Sequence, residues 1–288
     1  MQWMWRMVRT LNAALLGAWA LLGCGSSDDS GSASLTLEVQ ANFGSQRADC
    51  NASLIELGSS GVAAKLLDFR LFVHDVELVR AGGERVPFRL TDDGVWQREG
   101  VALLDFEDGS GSCETGSFET NLALRGEAPP HDDYTGIAFT VGVPERLNHL
   151  DAATAAAPFN TPGLWWSWQG GYKYLKVDIA TEGHPNGYFF HLGGTNCAGT
   201  PAEGFECQHA NLGRIELASS GLGPIVIDAS SFYRDLDLSE LPDGETDLVP
   251  GCMASSRDPE CPAMFQALGL TFEGEPRKAP PQVAFELQ

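Results

Sequence analysis

Short extended segments follow one another along most of this chain, and they constrain its fold more than any other feature. The segment Leu35–Phe43 alternates apolar with polar residues at a period of two, which is the pattern of a half-buried strand. Gly, Pro and Asp-Gly turns separate this segment from others like it. Long helices do not alternate with the strands, as a parallel α/β sheet would require. The pattern therefore predicts an all-β fold, an antiparallel β-sandwich with long loops and one or two short helices.

The segment Leu66–Val79 is the longest of these, and its apolar residues change parity part-way along. Such a change indicates a β-bulge or burial on both faces of a sheet. Two short helices are predicted at Leu150–Ala157 and Pro262–Leu268. Further strands are predicted at Val86–Leu90, Val101–Leu104, Asn121–Leu124, Thr135–Val141, Tyr172–Ile179, Gly187–Leu192, Arg214–Leu217, Ile225–Asp228, Phe232–Leu238 and Val283–Leu287.

The first 23 residues are typical of an export signal. Arg6 and Arg9 precede the apolar run Leu11–Leu22, which is too short for a membrane-spanning helix. The ending Leu-Leu-Gly-Cys resembles a bacterial lipoprotein box, which predicts a lipid on Cys24; cleavage with loss of Cys24 is the alternative. Because Asp does not follow Cys24, the outer membrane is the expected anchor site, facing the periplasm or the cell surface. Residues 24–34 form a predicted flexible tether, and residues 35–288 a single β domain.

The chain is strongly acidic, with a formal net charge of −21. Loss of the signal removes Arg6 and Arg9 and changes this charge to −23. Such a surface repels polyanions, so nucleic acid is an unsuitable partner. An acidic surface is compatible with cation binding.

Six cysteines remain after the signal, an even number that predicts disulfides in an exported protein. Cys197–Cys207 and Cys252–Cys261 would each close a short Gly/Pro-rich loop, which leaves Cys50–Cys113 as the third pair. The loops tied in this way are predicted at 193–211 and 241–262. A thiolate metal site is the alternative, but no Cys-x-x-Cys pair supports it.

Three tryptophans lie within the run Trp165–Gly170. In a strand, the spacing of Trp166 and Trp168 places both indoles on the same face. Such a pair is either a packing anchor or a site of redox chemistry. Most same-face aromatic pairs belong to a core.

The six histidines have no local metal-binding spacing, so a metal site would need to combine distant segments. His191 ends an apolar strand, His149 follows the strand Thr135–Val141, and His74 lies within a strand beside Asp75. No Gly-x-Ser-x-Gly element or phosphate-binding glycine loop is present in the sequence. The sequence therefore predicts a binding protein rather than an enzyme.

Several motifs together resemble one family, and in order they cover nearly all of the chain after the signal. The motifs are Phe69–Leu78, Val101–Glu107, Gly142–Pro144 with Leu147–His149, Trp166–Lys173, Phe190–Gly193, and Gly251–Met253 with Asp258–Cys261. They resemble the MbnP-like copper-binding proteins, the four-Cys, W-x-W half of the metallo-mystery pair systems. The W-x-W-Q-G-G segment is the most specific of them.

The resemblance implies that a MauG-type di-haem peroxidase partner oxidises one tryptophan to kynurenine, whose aryl amine binds one copper ion with histidines. Trp166 and Trp168 are equal candidates for the modified residue. His191 and His149 are the expected ligands, and His74 is a third candidate. Two alternatives stay open: a carbohydrate- or ligand-binding β-sandwich with a tryptophan platform, and a structural surface lipoprotein.

Overall fold

The computed structural model describes residues 31–167, 169–239, 249–255, 258–272 and 279–288. Three short helices are present in this part of the chain: α1 (Glu145–Asn148), α2 (Ser230–Tyr233) and α3 (Cys261–Ala267). The strands are β1 (Ala33–Phe43), β2 (Gln46–Arg47), β3 (Ser53–Leu57), β4 (Val62–Arg80), β5 (Arg85–Pro87), β6 (Arg89–Leu90), β7 (Gln97–Arg98), β8 (Val101–Asp105), β9 (Ala123–Ala128), β10 (Tyr134–Val141), β11 (Trp165–Ser167), β12 (Gly171–Tyr172), β13 (Leu175–Thr181), β14 (Tyr188–Leu192), β15 (Thr195–Thr200), β16 (Gly204–His209), β17 (Gly213–Ala218), β18 (Ile225–Asp228), β19 (Gly251–Cys252) and β20 (Phe285–Leu287).

Two sheets and two separate hairpins make up this β fold. The larger sheet runs β17-β10-β4-β13-β14-β19, with β3, β5 and β8 also paired to β4 and with β7 paired to β8. The smaller sheet runs β20-β18-β1-β9-β6, with β2 on β1. Rings from the two sheets meet in one core: Phe43 lies 6.3 Å from Phe69, and Phe139 lies 5.6 Å from Phe285. The predicted sandwich is therefore confirmed, since two sheets share one apolar interior.

The central strand β4 explains the parity change in the sequence. Every residue from Phe69 to His74 is buried, so both faces of the strand are covered at this point. Asp75 then has a positive φ of 49°, and the register with β10 shifts between Ala138 and Thr140. Both predicted causes, burial on two faces and an irregularity, are present.

Several sequence predictions about single elements are wrong. Residues 150–157 form turns, because the Asp151 carboxylate accepts from the Ala153 amide and the Thr154 hydroxyl and so favours local turns over a helix. The disulfide-tied loop predicted at residues 193–211 is instead mostly a hairpin, since β15 and β16 pair. The predicted strand 232–238 begins within α2, which follows the turn closed by Asp228 and Ser230.

The sheets also depart from a purely antiparallel arrangement, because β1 pairs with β18 and β14 pairs with β19 in parallel. β1 begins at Ala33, so it includes the last two residues of the predicted tether. The signal and Cys24 lie outside the described residues. Within the described residues, no helix has the length and apolar character needed to cross a membrane.

Three disulfides join Cys50 to Cys113, Cys197 to Cys207 and Cys252 to Cys261, which are the predicted pairs. The second pair lies directly across the β15–β16 hairpin. The third closes the segment between β19 and the start of α3. Covalent links of this kind restrict the unfolded chain and so stabilise the loops that surround the sheets.

Candidate functional site

The Trp-containing segment folds as a small hairpin in which Trp165 pairs with Tyr172 and Ser167 with Gly171. Its base is fixed because the Tyr172 amide donates to the Asn148 side-chain oxygen at 2.9 Å. Gly171 has a φ of 68°, and a Cβ there would lie 2.5 Å from the same Asn148 oxygen. Only glycine fits this close approach, which accounts for a glycine in this part of the motif.

The tip of the hairpin is held against the neighbouring β15–β16 hairpin. The Gln169 side chain donates to the backbone oxygen of Cys197 at 2.6 Å, and the Gly170 amide donates to the Ser167 hydroxyl at 2.9 Å. The Gln and the first Gly of the W-x-W-Q-G-G motif thus have structural roles. Trp168 lies outside the described residues.

Trp166 packs beside the end of β14. A Cβ on Gly193 would overlap the six-membered ring of Trp166 and would lie 2.8 Å from the Tyr172 oxygen. The ring centroid of Trp166 lies 6.4 Å from that of His191, at an interplanar angle of 51°. The absence of a side chain at Gly193 therefore lets the indole lie next to this imidazole.

His191 is buried, with 5% of its surface exposed, and its ring is oriented by Asp178 on β13. Its Nε2 lies 2.8 Å from the Asp178 Oδ1 atom. Burial lowers the pKa of His191, although the Asp178 carboxylate acts in the opposite direction. The neutral imidazole then donates through Nε2 and keeps a lone pair on Nδ1. Among the described residues, the buried Nδ1 atom has no hydrogen-bond partner.

A network of buried charges holds Asp178 in place. Lys176 contacts Asp68 and lies 3.2 Å from Asp178, and Arg70 also contacts Asp68. Two carboxylates and two cations thus compensate one another in the interior, as buried charges require. His191 pairs directly with Lys176 across β13 and β14, so Asp178, two residues along β13, is its diagonal neighbour and the sheet register fixes the contact.

Lys173, which ends the W-x-W motif, lies close to the same charges. Burial lowers its pKa to about 8, and the positive charge of Lys176 acts in the same direction.

His149 lies in a different environment from His191. Its Nε2 is 3.5 Å from the Sγ of Cys207, and its ring stacks 5.0 Å from Phe205. A Cβ on Gly194 would lie 2.9 Å from the Cys207 sulfur, whereas the Cβ position of Gly193 faces Trp166. The two adjacent glycines thus face different groups, with Trp166 and His191 on one side and His149 with the disulfide on the other.

His74 is buried on β4, with its Nδ1 3.0 Å from the exposed Asp75 carboxylate. Arg70, Lys176 and His191 form one row across three strands, and His74 is four residues along β4 from Arg70. Four residues and two strand spacings place His74 ~16 Å from His191. The structure therefore does not bring His74 to the Trp166–His191 pair.

Two positioning residues, Asp178 and Asn148, were not singled out by the sequence analysis. The sequence did contain a signal for Asp178, because Lys176 and Asp178 interrupt an otherwise apolar strand. Charged residues are rarely buried without partners, so this pattern indicates a buried ion pair. Asn148 lay inside a family-like motif in which only His149 was considered.

The donor set fits a copper ion better than a hard cation. The buried lone pair of His191 Nδ1 is an imidazole donor, which suits copper. A carboxylate on the opposite ring nitrogen is the usual support of a metal-ligating histidine. The native indole of Trp166 offers only an N–H donor and cannot itself be a ligand.

Comparison with known proteins agrees with this geometry. The sequence model of the MbnP family matches residues 32–254, which is most of the chain. The chain belongs to the MbnP family. The solved structure of MbnP from Methylosinus trichosporium is similar, with a TM-score of 0.75 and 28% identity, over 88% of this chain and 98% of that one. No curated protein matches the chain. Membership of the MbnP family supports a copper-related, extracytoplasmic protein.

Proposed function

We propose that this chain is a lipid-anchored, extracytoplasmic copper-binding protein whose site combines His191 with an oxidised Trp166. The observation that carries the proposal is the buried, unpartnered Nδ1 of His191 beside the Trp166 ring. Burying a polar atom without a partner costs free energy, and a ligand that accepts its lone pair removes that cost. The chain binds and holds copper and performs no turnover of its own.

The oxidation converts the indole of Trp166 to kynurenine. Two equivalents of peroxide, used by a di-haem peroxidase partner, break the C2–C3 bond and insert two oxygens, with loss of two waters. Hydrolysis then releases the C2 carbon as formate and frees an aryl amine. The residue gains one oxygen and loses one carbon, a net increase of about 4 Da. The nitrogen lone pair, previously part of the aromatic system, becomes available as a donor.

The chain's own residues prepare this site. Asp178 holds His191 through Nε2, which directs the lone pair to Nδ1. Gly193 leaves space for the indole, and the hydrogen bonds of Asn148 and Gln169 fix the hairpin that carries it. When bound, copper supplies a redox-active centre. His149 remains a predicted ligand, whereas the register of the sheet puts His74 ~16 Å from His191.

Peptide mass spectrometry of the segment Trp165–Lys173 tests the proposal. The protein should come from cells that express the haem partner, with a partner-deficient strain as the control. We expect Trp166 to gain about 4 Da only when the haem partner is present. Trp96 serves as an internal reference. The same gain on Trp168 would show that Trp168, and not Trp166, is the oxidised residue. Unmodified tryptophans in both strains would contradict the proposal.

The tryptophan-platform alternative makes a different prediction for the same segment. A sugar-stacking platform needs open ring faces, whereas Trp166 packs against Gly193 and His191. This packing favours the copper site over the platform.

Lipid anchoring has its own test. Cys24→Ser should move the protein from the membrane fraction to the soluble fraction of the cell envelope. An unchanged distribution would contradict the anchor without affecting the copper site.

A further inference from the structure

A second set of metal-ligand atoms lies outside the Trp166–His191 pair. His149 Nε2 and the sulfurs of Cys197 and Cys207 all lie within 4.8 Å of one another. The sulfurs form a disulfide in this structure. A disulfide sulfur is a poor metal ligand, because thiolates are the species that bind metals.

We propose that His149, Cys197 and Cys207 form a second metal site, which exists only when their disulfide is reduced and which takes a soft cation such as Cu(I). Two thiolates with one imidazole are a donor set that suits Cu(I), and Zn²⁺ accepts the same donors. This site shares His149, a predicted ligand of the copper site, with the function proposed above, whereas Cys197 and Cys207 belong to the second site alone.

The distances support a shared ion. The His149 Nε2 atom lies 3.5 Å from the Cys207 Sγ atom. For bonds of ~2.3 Å to sulfur and ~2.0 Å to nitrogen, a tetrahedral angle places the two ligand atoms ~3.5 Å apart. The observed contact therefore needs no change in this separation for the two atoms to ligate one ion. Stacking of His149 on Phe205 holds the imidazole in this position.

The hairpin can keep its fold after the disulfide opens. Cys197 and Cys207 are direct partners across the ladder, and four further pairs from Thr195 with His209 to Thr200 with Gly204 remain. The two thiolates would need to separate to ~3.8 Å on a tetrahedral ion. Side-chain rotation at two opposed Cα atoms can supply this separation.

Exposure makes this disulfide the most accessible of the three. Cys207 is partly exposed, whereas the half-cystines of the other two pairs are all buried. Thiol–disulfide exchange requires a thiolate to reach a sulfur, so the partly exposed Cys207 favours reaction at this pair. A surface cleft of about 310 Å³ lined by Glu145, His149 and Phe205 gives a reductant or an ion access to the site.

The chemistry balances with a dithiol reductant. One dithiol transfers two electrons and two protons to the Cys197–Cys207 bond, becomes a cyclic disulfide, and leaves two protein thiols. Binding of one Cu⁺ then displaces both thiol protons. The Glu145 carboxylate, 3.5 Å from His149 Nε2, adds negative charge beside the cation.

The first experiment measures which disulfide opens. The full chain is treated anaerobically with a limiting dithiol, free thiols are alkylated, and peptides are identified by mass spectrometry. Labels on Cys197 and Cys207 before the other four are expected, with the aromatic bands of the near-ultraviolet circular dichroism spectrum retained. Earlier labelling of another pair, or loss of the spectrum when this pair opens, would overturn the proposal.

The second experiment adds metal to the selectively reduced protein. Co²⁺ is the optical probe, because thiolate ligation gives charge-transfer absorption, and Cu(I) is then titrated against a competing chelator. The reduced chain should bind one ion more than the oxidised chain, with thiolate bands. His149→Ala should weaken that binding by at least about tenfold, since even outer-shell partners contribute this much.

Two control variants separate this site from others. His209→Ala removes a histidine of the same hairpin, outside the cluster, and should leave the affinity of the reduced chain unchanged. His191→Ala should also leave it unchanged, which distinguishes this site from the Trp166–His191 pair. An equal affinity in wild type and His149→Ala, or no binding by the reduced chain, would overturn the proposal.

Discussion

Two buried histidines lie on the same large sheet, but their surroundings differ. His191 and His74 have 5% and 4% of their surface exposed, and burial lowers the pKa of both imidazoles. The carboxylate beside His191 is itself buried and compensated by Lys176, whereas the carboxylate beside His74 belongs to Asp75, whose side chain is 75% exposed.

The comparison of these two histidines shows that burial alone does not identify a metal ligand. A buried carboxylate on one ring nitrogen fixes the ring and directs the lone pair of the other nitrogen. An exposed aspartate is solvated and mobile, so it fixes the ring of His74 less firmly. His191 also has an aromatic neighbour that can be converted into a second donor, whereas His74 pairs only with Val101 and Thr140 across the sheet.

The largest expected effect concerns copper affinity. In matured protein, His191→Ala should weaken copper binding by more than about 100-fold, because it removes a ligand rather than an outer-shell partner. His74→Ala leaves a similar cavity in the same sheet and is the matched control, with unchanged affinity. Competition titration with a Cu(I) chelator measures both. Equal losses in the two variants would remove the distinction between these histidines.

The next largest effect on copper affinity concerns Asp178, the carboxylate that supports His191. Asp178→Asn should weaken copper binding by roughly 10- to 100-fold, as loss of an outer-shell partner does. Its control is Asp75→Asn, at the exposed carboxylate, with no change expected. Nitrogen-15 NMR of the metal-free protein should show a mixture of His191 tautomers only in Asp178→Asn. A single tautomer with normal affinity would show that Asp178 does not position the ring.

A smaller effect concerns the space for the indole. Gly193→Ala should lower the free energy of unfolding by about 1–3 kcal/mol, since its methyl group overlaps the Trp166 ring. Gly82→Ala, where no atom lies within 4 Å, is the control. Urea unfolding gives the energy, and tryptophan fluorescence should shift only in Gly193→Ala. If both variants behave alike, Gly193 does not place Trp166.

The smallest expected effect is a loss of stability at low pH, which arises from the lowered pKa that both histidines share. Because the pKa of His74 is below its ordinary value of 6.5, the unfolded chain takes up a proton before the folded chain as pH falls. Stability is therefore lost on acidification below about pH 6.5, by at most about 1.4 kcal/mol per pH unit. His74→Gln should flatten this dependence, although Asp75, Arg146 and Arg214 also face the group. Urea titrations of the metal-free chain across this range measure the slope, and an unchanged slope would contradict the prediction.

The strands were largely predictable because their signals are local. Alternation in Leu35–Phe43 and the parity change in Leu66–Val79 reflect which face of a strand is buried, and both appear in β1 and β4. The hairpin of β15 and β16 was missed because Thr195–Thr200 has no apolar alternation. Its pairing depends on a ladder and a disulfide rather than on a buried face.

The site was only partly predictable, since it depends on register. Motifs identified Trp166, His191 and His149, but a motif does not state which side of a strand each residue faces. The contact between Asp178 and His191 depends on the pairing of β13 with β14, which no local pattern encodes. The same holds for the two adjacent glycines, of which Gly193 faces Trp166 and Gly194 faces Cys207.

The four buried charges beneath His191 have a consequence for sequence change. Asp68, Arg70, Lys176 and Asp178 compensate one another, with the buried Glu107 also 3.9 Å from Arg70, so replacing one leaves a charge less well compensated where water cannot solvate it. Substitutions within such a network are strongly non-additive. A single substitution at one of these positions destabilises the fold, whereas simultaneous replacement of two opposite charges does not. Among relatives, these charged residues should therefore be replaced in oppositely charged pairs.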